Sequence, residues 1–488
     1  MALKQETISG IKWQVGMSLA QKAISFLGTI ILARHLGPSV FGLFAFAMVI
    51  EGSFELFKSM GIDSALIRRQ GDFKKAANTA FLIIPLLGVA LFLAMFFSAP
   101  SIGNMLGNKD IVPILRALGI IFVFSCFARV PSAILEKRME FKRISIAEFY
   151  SSILFTGFAI IFAFLSFEVW SLVFAYIIKT FFYMVMVFMF ARWRFTFDFD
   201  IKLAKEMIVF GKFIFLATLV AFLKSNLDNL LVGKLLGVTM LGYYAVAFNV
   251  ANLCYDYIGS KIGRVIYPAY SKLSRDFDNM RNAFLKTFKY TAIFVIPIGL
   301  GTFFLAKDFL LLAYGEKWVD AYKVLQILAW AGIFNTLPVP LRAIFFTMNK
   351  PNLAFFMSAI QVVIFFIFIT PAAKMFMLNG VGIVVSVSSF MAFIISLFWG
   401  MRLLSITYYQ IYACLKPALV ASFYTFSVMI ILRFLFMTNK FIISFNGAIA
   451  FASIVLIAVF MYIAIIQKTE KDVSIDLKLL IWRKLCKN

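Results

Sequence analysis

Chemistry in this 488-residue chain must come from charged and amide side chains set within long apolar runs. In the second of these runs Glu51, Glu55 and Lys58 fall at i, i+4 and i+7, which places them on one helical face. The first run carries Gln14, Ser18, Gln21 and Ser25 as another stripe, with Lys22 beside it. The seventh run sets Lys224 and Asp228 one turn apart, flanked by Asn226 and Asn229, and the eighth spaces Asn249, Asn252 and Asp256 at i, i+3 and i+7. Lys179 sits near the middle of the sixth run, and Arg129 and Arg342 lie toward the ends of the fourth and tenth. An ionisable group at mid-bilayer costs about 2.5–3.5 kcal/mol, so such groups face a cavity or a partner. Lys224 and Asp228 can neutralise each other, and Arg129 and Arg342 can reach headgroups by snorkelling as readily as they can line a cavity. Polar faces on the first, second, seventh and eighth runs together imply one shared aqueous cavity.

Catalytic apparatus is missing from this inventory. The chain has no Gly-rich phosphate loop, no HExxH and no nucleophile motif. His35 is the lone histidine, and Cys126, Cys254, Cys414 and Cys486 show no CxxC spacing. We therefore expect no enzyme, no bound metal and no cofactor. A membrane polymerase acting outside the cell would also need long outer loops, and every outer loop here is short.

The elements that hold these residues follow from composition. Hydrophobic residues make up 62% of the chain and charged residues 14%, against about 45–50% and about 25% in soluble domains. That excess must face lipid. Runs of about 20 apolar residues, enough for a bilayer core of about 30 Å, predict an all-α polytopic membrane protein with about fourteen spans, among them the first centred on Ile24, two later ones on Phe365 and Val387, and the last on Ile454. With the N-terminus inside, about 21 basic residues fall in inner loops and about 7 in outer ones, which puts both termini in the cytoplasm. The net charge of +24 thus reads as a match to a bilayer's cytoplasmic face, with no nucleic acid as partner. The polar start MALKQETISGIKW runs into the first span without a small-residue cleavage site, so no cleavable signal peptide is expected.

The chain also repeats itself. LARHLGPSVFGLFAFA from Leu32 returns as VGKLLGVTMLGYYAVA from Val232, with Leu36, Gly37, Gly42, Ala45 and Ala47 recurring at Leu236, Gly237, Gly242, Ala245 and Ala247. An even number of spans separates the copies, so they share one orientation, a parallel repeat of the kind found in alternating-access transporters. The expected organisation is two pseudo-symmetric six-helix bundles, residues 1–205 and 206–403, followed by two extra spans and a basic tail in 404–488.

Four motifs lie between Leu32 and Asp276: LARHLGPSVFG, GIDSALIRR, NLDNLLVGKLLG and IGRVIYPAYSKLSRD. In these the chain resembles the polysaccharide transporter family. These are Wzx-type flippases of lipid-linked oligosaccharides, within the multidrug/oligosaccharidyl-lipid/polysaccharide superfamily, and the nearest branch exports colanic and teichuronic acids. The resemblance implies a protein of the bacterial cytoplasmic membrane that moves undecaprenyl-pyrophosphate-linked repeat units to the outer leaflet. It further implies alternating access through a central cationic cavity, coupling to a proton or sodium gradient, and work beside a polysaccharide polymerase and chain-length machinery. Only Asp228 in NLDN and Arg264 in IGRVIYP carry motif support as site residues. Cations such as Lys22, Lys179 and Lys224 would meet the pyrophosphate, while the Asn, Gln and Ser stripes suit sugar hydroxyls. Two other cargoes remain open within the superfamily: small-molecule drugs, by antiport, and the peptidoglycan precursor.

Overall fold

The computed structural model describes residues 2–58, 62, 66, 72–436 and 445–470. Arg68, Arg69, Cys486 and most of GIDSALIRR lie outside them. Among the described residues all regular structure is helical, as expected where backbone groups in lipid must be satisfied within their own segment.

The first helices are α1 (Ala2–His35), α2 (Pro38–Glu55), α3 (Phe73–Leu106), α4 (Ile111–Leu118), α5 (Ile120–Lys137), α6 (Phe141–Phe164), α7 (Val169–Ala191) and α8 (Ile201–Leu236). They are followed by α9 (Val238–Ala251), α10 (Ser260–Lys272), α11 (Phe277–Ala313), α12 (Tyr322–Thr336) and α13 (Val339–Thr347). Last come α14 (Pro351–Leu404), α15 (Tyr408–Phe436) and α16 (Phe445–Thr469). Aspartates start three of the long helices by accepting orphan N–H groups, the usual role of an N-cap. Asp72 accepts from Lys75 N at 3.1 Å, Asp200 from Lys202 N at 2.8 Å, and Asp276 from Asn279 N at 3.1 Å. Helix α3 ends at Gly107, whose φ of +69° is the left-handed stop that glycine supplies at no steric cost.

Eleven of the described helical segments are long and apolar enough to cross a membrane, fewer than the fourteen expected from sequence. The difference has local causes. Helix α14, at 54 residues, is about 81 Å long at 1.5 Å per residue, far more than one crossing. It breaks at Met377 (φ 50°, ψ −133°), and the expected spans centred on Phe365 and Val387 lie on either side. Close beyond the break, a Cβ on Gly380 would overlap the Ala372 carbonyl, so the chain doubles back where only glycine fits. Helix α8, at 36 residues, has the length of a crossing, and its stretch 207–224 carries no charge apart from Lys212 and Lys224. Helix α9 is short because its path continues through a π-turn at Tyr255–Gly259 into α10.

By compactness the chain divides into Met1–Gly242 and Tyr243–Asn488. In the first unit α6 packs between α1 and α7, α5 joins α7 to α3, and α2 runs against α7, α4 and α8. The repeated motif has a structural counterpart inside this unit. A Cβ on Gly42 would strike the Val238 carbonyl, and a Cβ on Gly242 would strike the Pro38 carbonyl. The two copies of the motif thus cross backbone to backbone, each glycine making room for the other copy. In the second unit α11 packs on α12 and α15, α12 on α14, and α16 on α15.

Candidate functional site

Within the first unit five helices enclose a cavity of about 320 Å³, at the lower end of the ligand-pocket range of ~300–1,000 Å³. Helix α1 contributes Gln21, and α2 contributes Glu51 and Glu55, with Lys58 in the turn beyond it. Helix α5 contributes Ser125, Arg129 and Ser132; α6 contributes Glu148, Ser151 and Ser152; α7 contributes Tyr176, Lys179, Thr180 and Tyr183. Each set repeats at three- or four-residue intervals, the spacing that lets one helix present several side chains to one side.

The charges are paired. Lys58 Nζ donates to Glu55 Oε1 at 2.7 Å, and Arg129 adds its positive charge to the field at Glu55. Glu51, 3% exposed, lies one turn before Glu55 and feels both Glu55 and Lys58. Glu148 and Lys179 act on each other electrostatically. The Lys179 ammonium also lies 5.3 Å from the Tyr176 ring centre and 5.6 Å from that of Phe155, within cation–π range. Three acidic and three basic side chains therefore share the cavity. The polar remainder is knitted by short bonds: Gln21 Nε2 donates to Ser152 Oγ at 2.7 Å, and the Ser132 and Tyr183 hydroxyls meet at 3.2 Å. Ser151 Oγ is buried and has no hydrogen-bond partner in the protein.

Six of the residues singled out from sequence line this cavity: Gln21, Glu51, Glu55, Lys58, Lys179 and Arg129. Lys22 is half-buried on α1, and the Lys224 side chain falls outside the described part of α8. Asp228 is buried and accepts from the Asn229 backbone N–H at 2.9 Å and from its side-chain amide at 3.3 Å. In the second unit Asn249 is exposed, Asn252 half-buried, Asp256 exposed in the π-turn, and Arg264 exposed on α10. Arg342, on α13, has its guanidinium beside Tyr255.

Sequence reasoning passed over Glu148, the serines of α5 and α6, and the two tyrosines. The signal was present in Ser125, Arg129 and Ser132, in Ser145, Glu148 and Ser152, and in Tyr176, Lys179 and Tyr183, all at helical spacing. Serine and tyrosine do not interrupt an apolar run as charges do, and Glu148 reads as part of the charged stretch that precedes it. Among the described residues no three His, Cys, Asp or Glu side chains converge as a metal site.

The second unit holds a different feature, an apolar groove of about 390 Å³ between α11, α15 and α16, walled by Phe294, Pro297, Phe426, Met429, Val459 and Tyr462. An ion pair stands toward each end of the groove walls: Lys289 to Glu470 at 2.9 Å, and Arg433 to the buried Asp308 at 2.5 Å.

Similarity to known proteins is extensive. The chain is 25% identical over 371 residues to the lipopolysaccharide biosynthesis protein WzxC of Escherichia coli (strain K12), covering 75% of each chain. It is 26% identical over 306 residues to the teichuronic acid biosynthesis protein TuaB of Bacillus subtilis (strain 168), covering 62% of this chain and 63% of that one. Its fold matches the lipid II flippase MurJ in an inward closed conformation with a TM-score of 0.76 at 16% identity, over 95% of this chain and 99% of the other. An inward-facing multidrug transporter of the MATE family matches with a TM-score of 0.60 at 18% identity, over 79% and 94%. These neighbours share the fold, an all-helical bundle of multiple membrane-length helices. Residues 31–323 match the family model described as polysaccharide biosynthesis protein, which spans more than half of the chain; the chain belongs to that family.

Proposed function

We propose that this protein moves undecaprenyl-pyrophosphate-linked oligosaccharide repeat units from the cytoplasmic to the outer leaflet of a bacterial cytoplasmic membrane, by alternating access and without catalysis. The observation that carries the reading is the cavity of the first unit. A hydroxyl-rich, charge-paired space inside membrane-crossing helices has no structural necessity, because apolar side chains would fill it at lower cost. It suits a polar cargo that must not meet hydrocarbon. The apolar groove of the second unit supports the same reading, since it offers a hydrocarbon chain a surface with almost no polar atoms.

In this scheme both termini are cytoplasmic, and residues 1–205 and 206–403 work as the two repeats, with 404–488 added to them. Glu51 and Glu55, one turn apart and facing one lysine, are the groups placed to take up a proton or a sodium ion that resets the carrier; Asp228 is the second candidate. The polymerase and chain-length proteins receive the cargo on the far side. Deletion in the native host tests the proposal: lipid-linked repeat units should accumulate on the inner leaflet and surface polysaccharide should fall. Loss of drug resistance with normal polysaccharide would favour small-molecule antiport instead, and lysis on depletion would favour the peptidoglycan precursor as cargo.

A further inference from the structure

The balance of charge in the cavity bears on which part of the cargo it meets. Glu51, Glu55 and Glu148 line the same space as Lys58, Arg129 and Lys179, and the two groups counter one another. A pyrophosphate placed here would stand beside Glu55 and Glu148, which already engage Lys58, Arg129 and Lys179. A sugar ring brings no charge. Its hydroxyls donate to carboxylates in strong charge-assisted bonds, and its C–H face lies well on aromatic rings such as Tyr176. The buried Ser151 hydroxyl, without a partner in the protein, supplies one more group for a ligand hydroxyl.

We propose that the cavity between α1, α2, α5, α6 and α7 is a subsite for one neutral sugar ring of the transported glycan, and does not hold the pyrophosphate. Glu148, Ser151 and Tyr176 are then specificity-determining residues, and the pyrophosphate is met at other cationic positions. The inference rests on the transporter reading but can fail independently of it.

Thr180 offers a reporter, because it lines the cavity while its hydroxyl donates to the Tyr176 carbonyl of its own helix at 2.9 Å. Cys126, Cys254 and Cys414 are buried, so a chain carrying Thr180→Cys and Cys486→Ser presents one reactive thiol in nanodiscs. Ser125→Cys is the second reporter should the first resist labelling. The rate of reaction with a water-soluble maleimide is followed with methyl glycosides of common hexoses and N-acetylhexosamines, and with inorganic pyrophosphate, at matched ionic strength. At least one neutral glycoside should slow labelling about threefold at twice its Kd, following 1 + [L]/Kd, and pyrophosphate should leave the rate unchanged. Adding Glu148→Gln should remove most of that protection. Protection by pyrophosphate alone would overturn the proposal in favour of an anion site, and protection by neither would leave the cavity as a coupling site only. Labelled repeat units crossing vesicle membranes without any glycoside protection would end the subsite proposal and leave the transporter reading standing; glycoside protection without crossing would do the reverse.

Discussion

Replacing Lys179 with methionine keeps the length of the side chain and removes its charge. Two losses follow. Glu148 loses the cation that acts on it across the cavity, worth about 1 kcal/mol because Glu148 is exposed and solvent screens the pair. The Tyr176 and Phe155 faces lose the ammonium at 5.3 and 5.6 Å, about 1 kcal/mol together at partly solvated sites. A loss of about 2 kcal/mol in a 242-residue unit shifts its unfolding midpoint by roughly 4–8 °C. Glu148→Gln on top of Lys179→Met removes the unpaired charge, so the double variant should recover all but about 1 kcal/mol, a coupling of about 1 kcal/mol in the mutant cycle. Thermal unfolding of the four proteins in nanodiscs reads this directly, and transport of labelled repeat units is measured on the same samples. The double variant should be stable yet slowed at least tenfold in transport, because the cavity has lost both charged contacts. A Lys179→Met protein as stable as the parent would refute the electrostatic pairing. A stable double variant that transports at the parental rate would remove the cavity from the transport path.

Three further outcomes follow from the fold. Arg433→Leu strands the buried Asp308 carboxylate and should cost about 3 kcal/mol, the lower end for a broken buried pair because Arg433 is 36% exposed; Asp308→Asn with Arg433→Leu should recover most of it, as measured by heat-resistant monomer on gel filtration. Gly42→Val drives a branched side chain into the Val238 carbonyl and should lower folded yield well below that of Gly16→Val, where a Cβ meets open space. The Lys75 ammonium at 3.1 Å and the backbone N–H groups of Lys202 and Leu203 hold the Asp200 carboxyl below its ordinary range. Its contribution is therefore full above the unfolded carboxylate pKa and fades as pH falls through the folded value; Asp200→Asn should flatten that acid limb of the stability profile, and an unchanged limb would show that the contact is idle.

The fold was legible because lipid imposes a simple rule on sequence. Long apolar runs and basic loop ends identify crossings with little regard to packing, and the glycine pairs at 37/42 and 237/242 exposed the repeat. The missing information was three-dimensional. Residues 351–404 read as two spans with a turn between them, but the position of that turn at Met377 is set by the backbone geometry there and the approach of Gly380 to Ala372. The site was half legible for a related reason. Glu51, Glu55, Lys58 and Lys179 stand out as charges in apolar surroundings, whereas Ser151, Ser152, Tyr176 and Tyr183 matter only because α6 and α7 turn them toward the same space as α2. The expectation of a cationic cavity came from the family resemblance; in the cavity of the first unit Glu148, overlooked in the sequence, adds an acidic group opposite Lys179.

The central claim is that a polar, lipid-linked glycan crosses the membrane through this protein. Purified protein in vesicles, with an undecaprenyl-pyrophosphate oligosaccharide labelled on its sugar, permits the rate of leaflet exchange to be measured under imposed proton and sodium gradients. Protein-dependent movement is expected, accelerated by one of the gradients and slowed at least tenfold by Lys179→Met with Glu148→Gln. Movement no faster than in protein-free vesicles, with a correct repeat unit and both gradients tried, would contradict it.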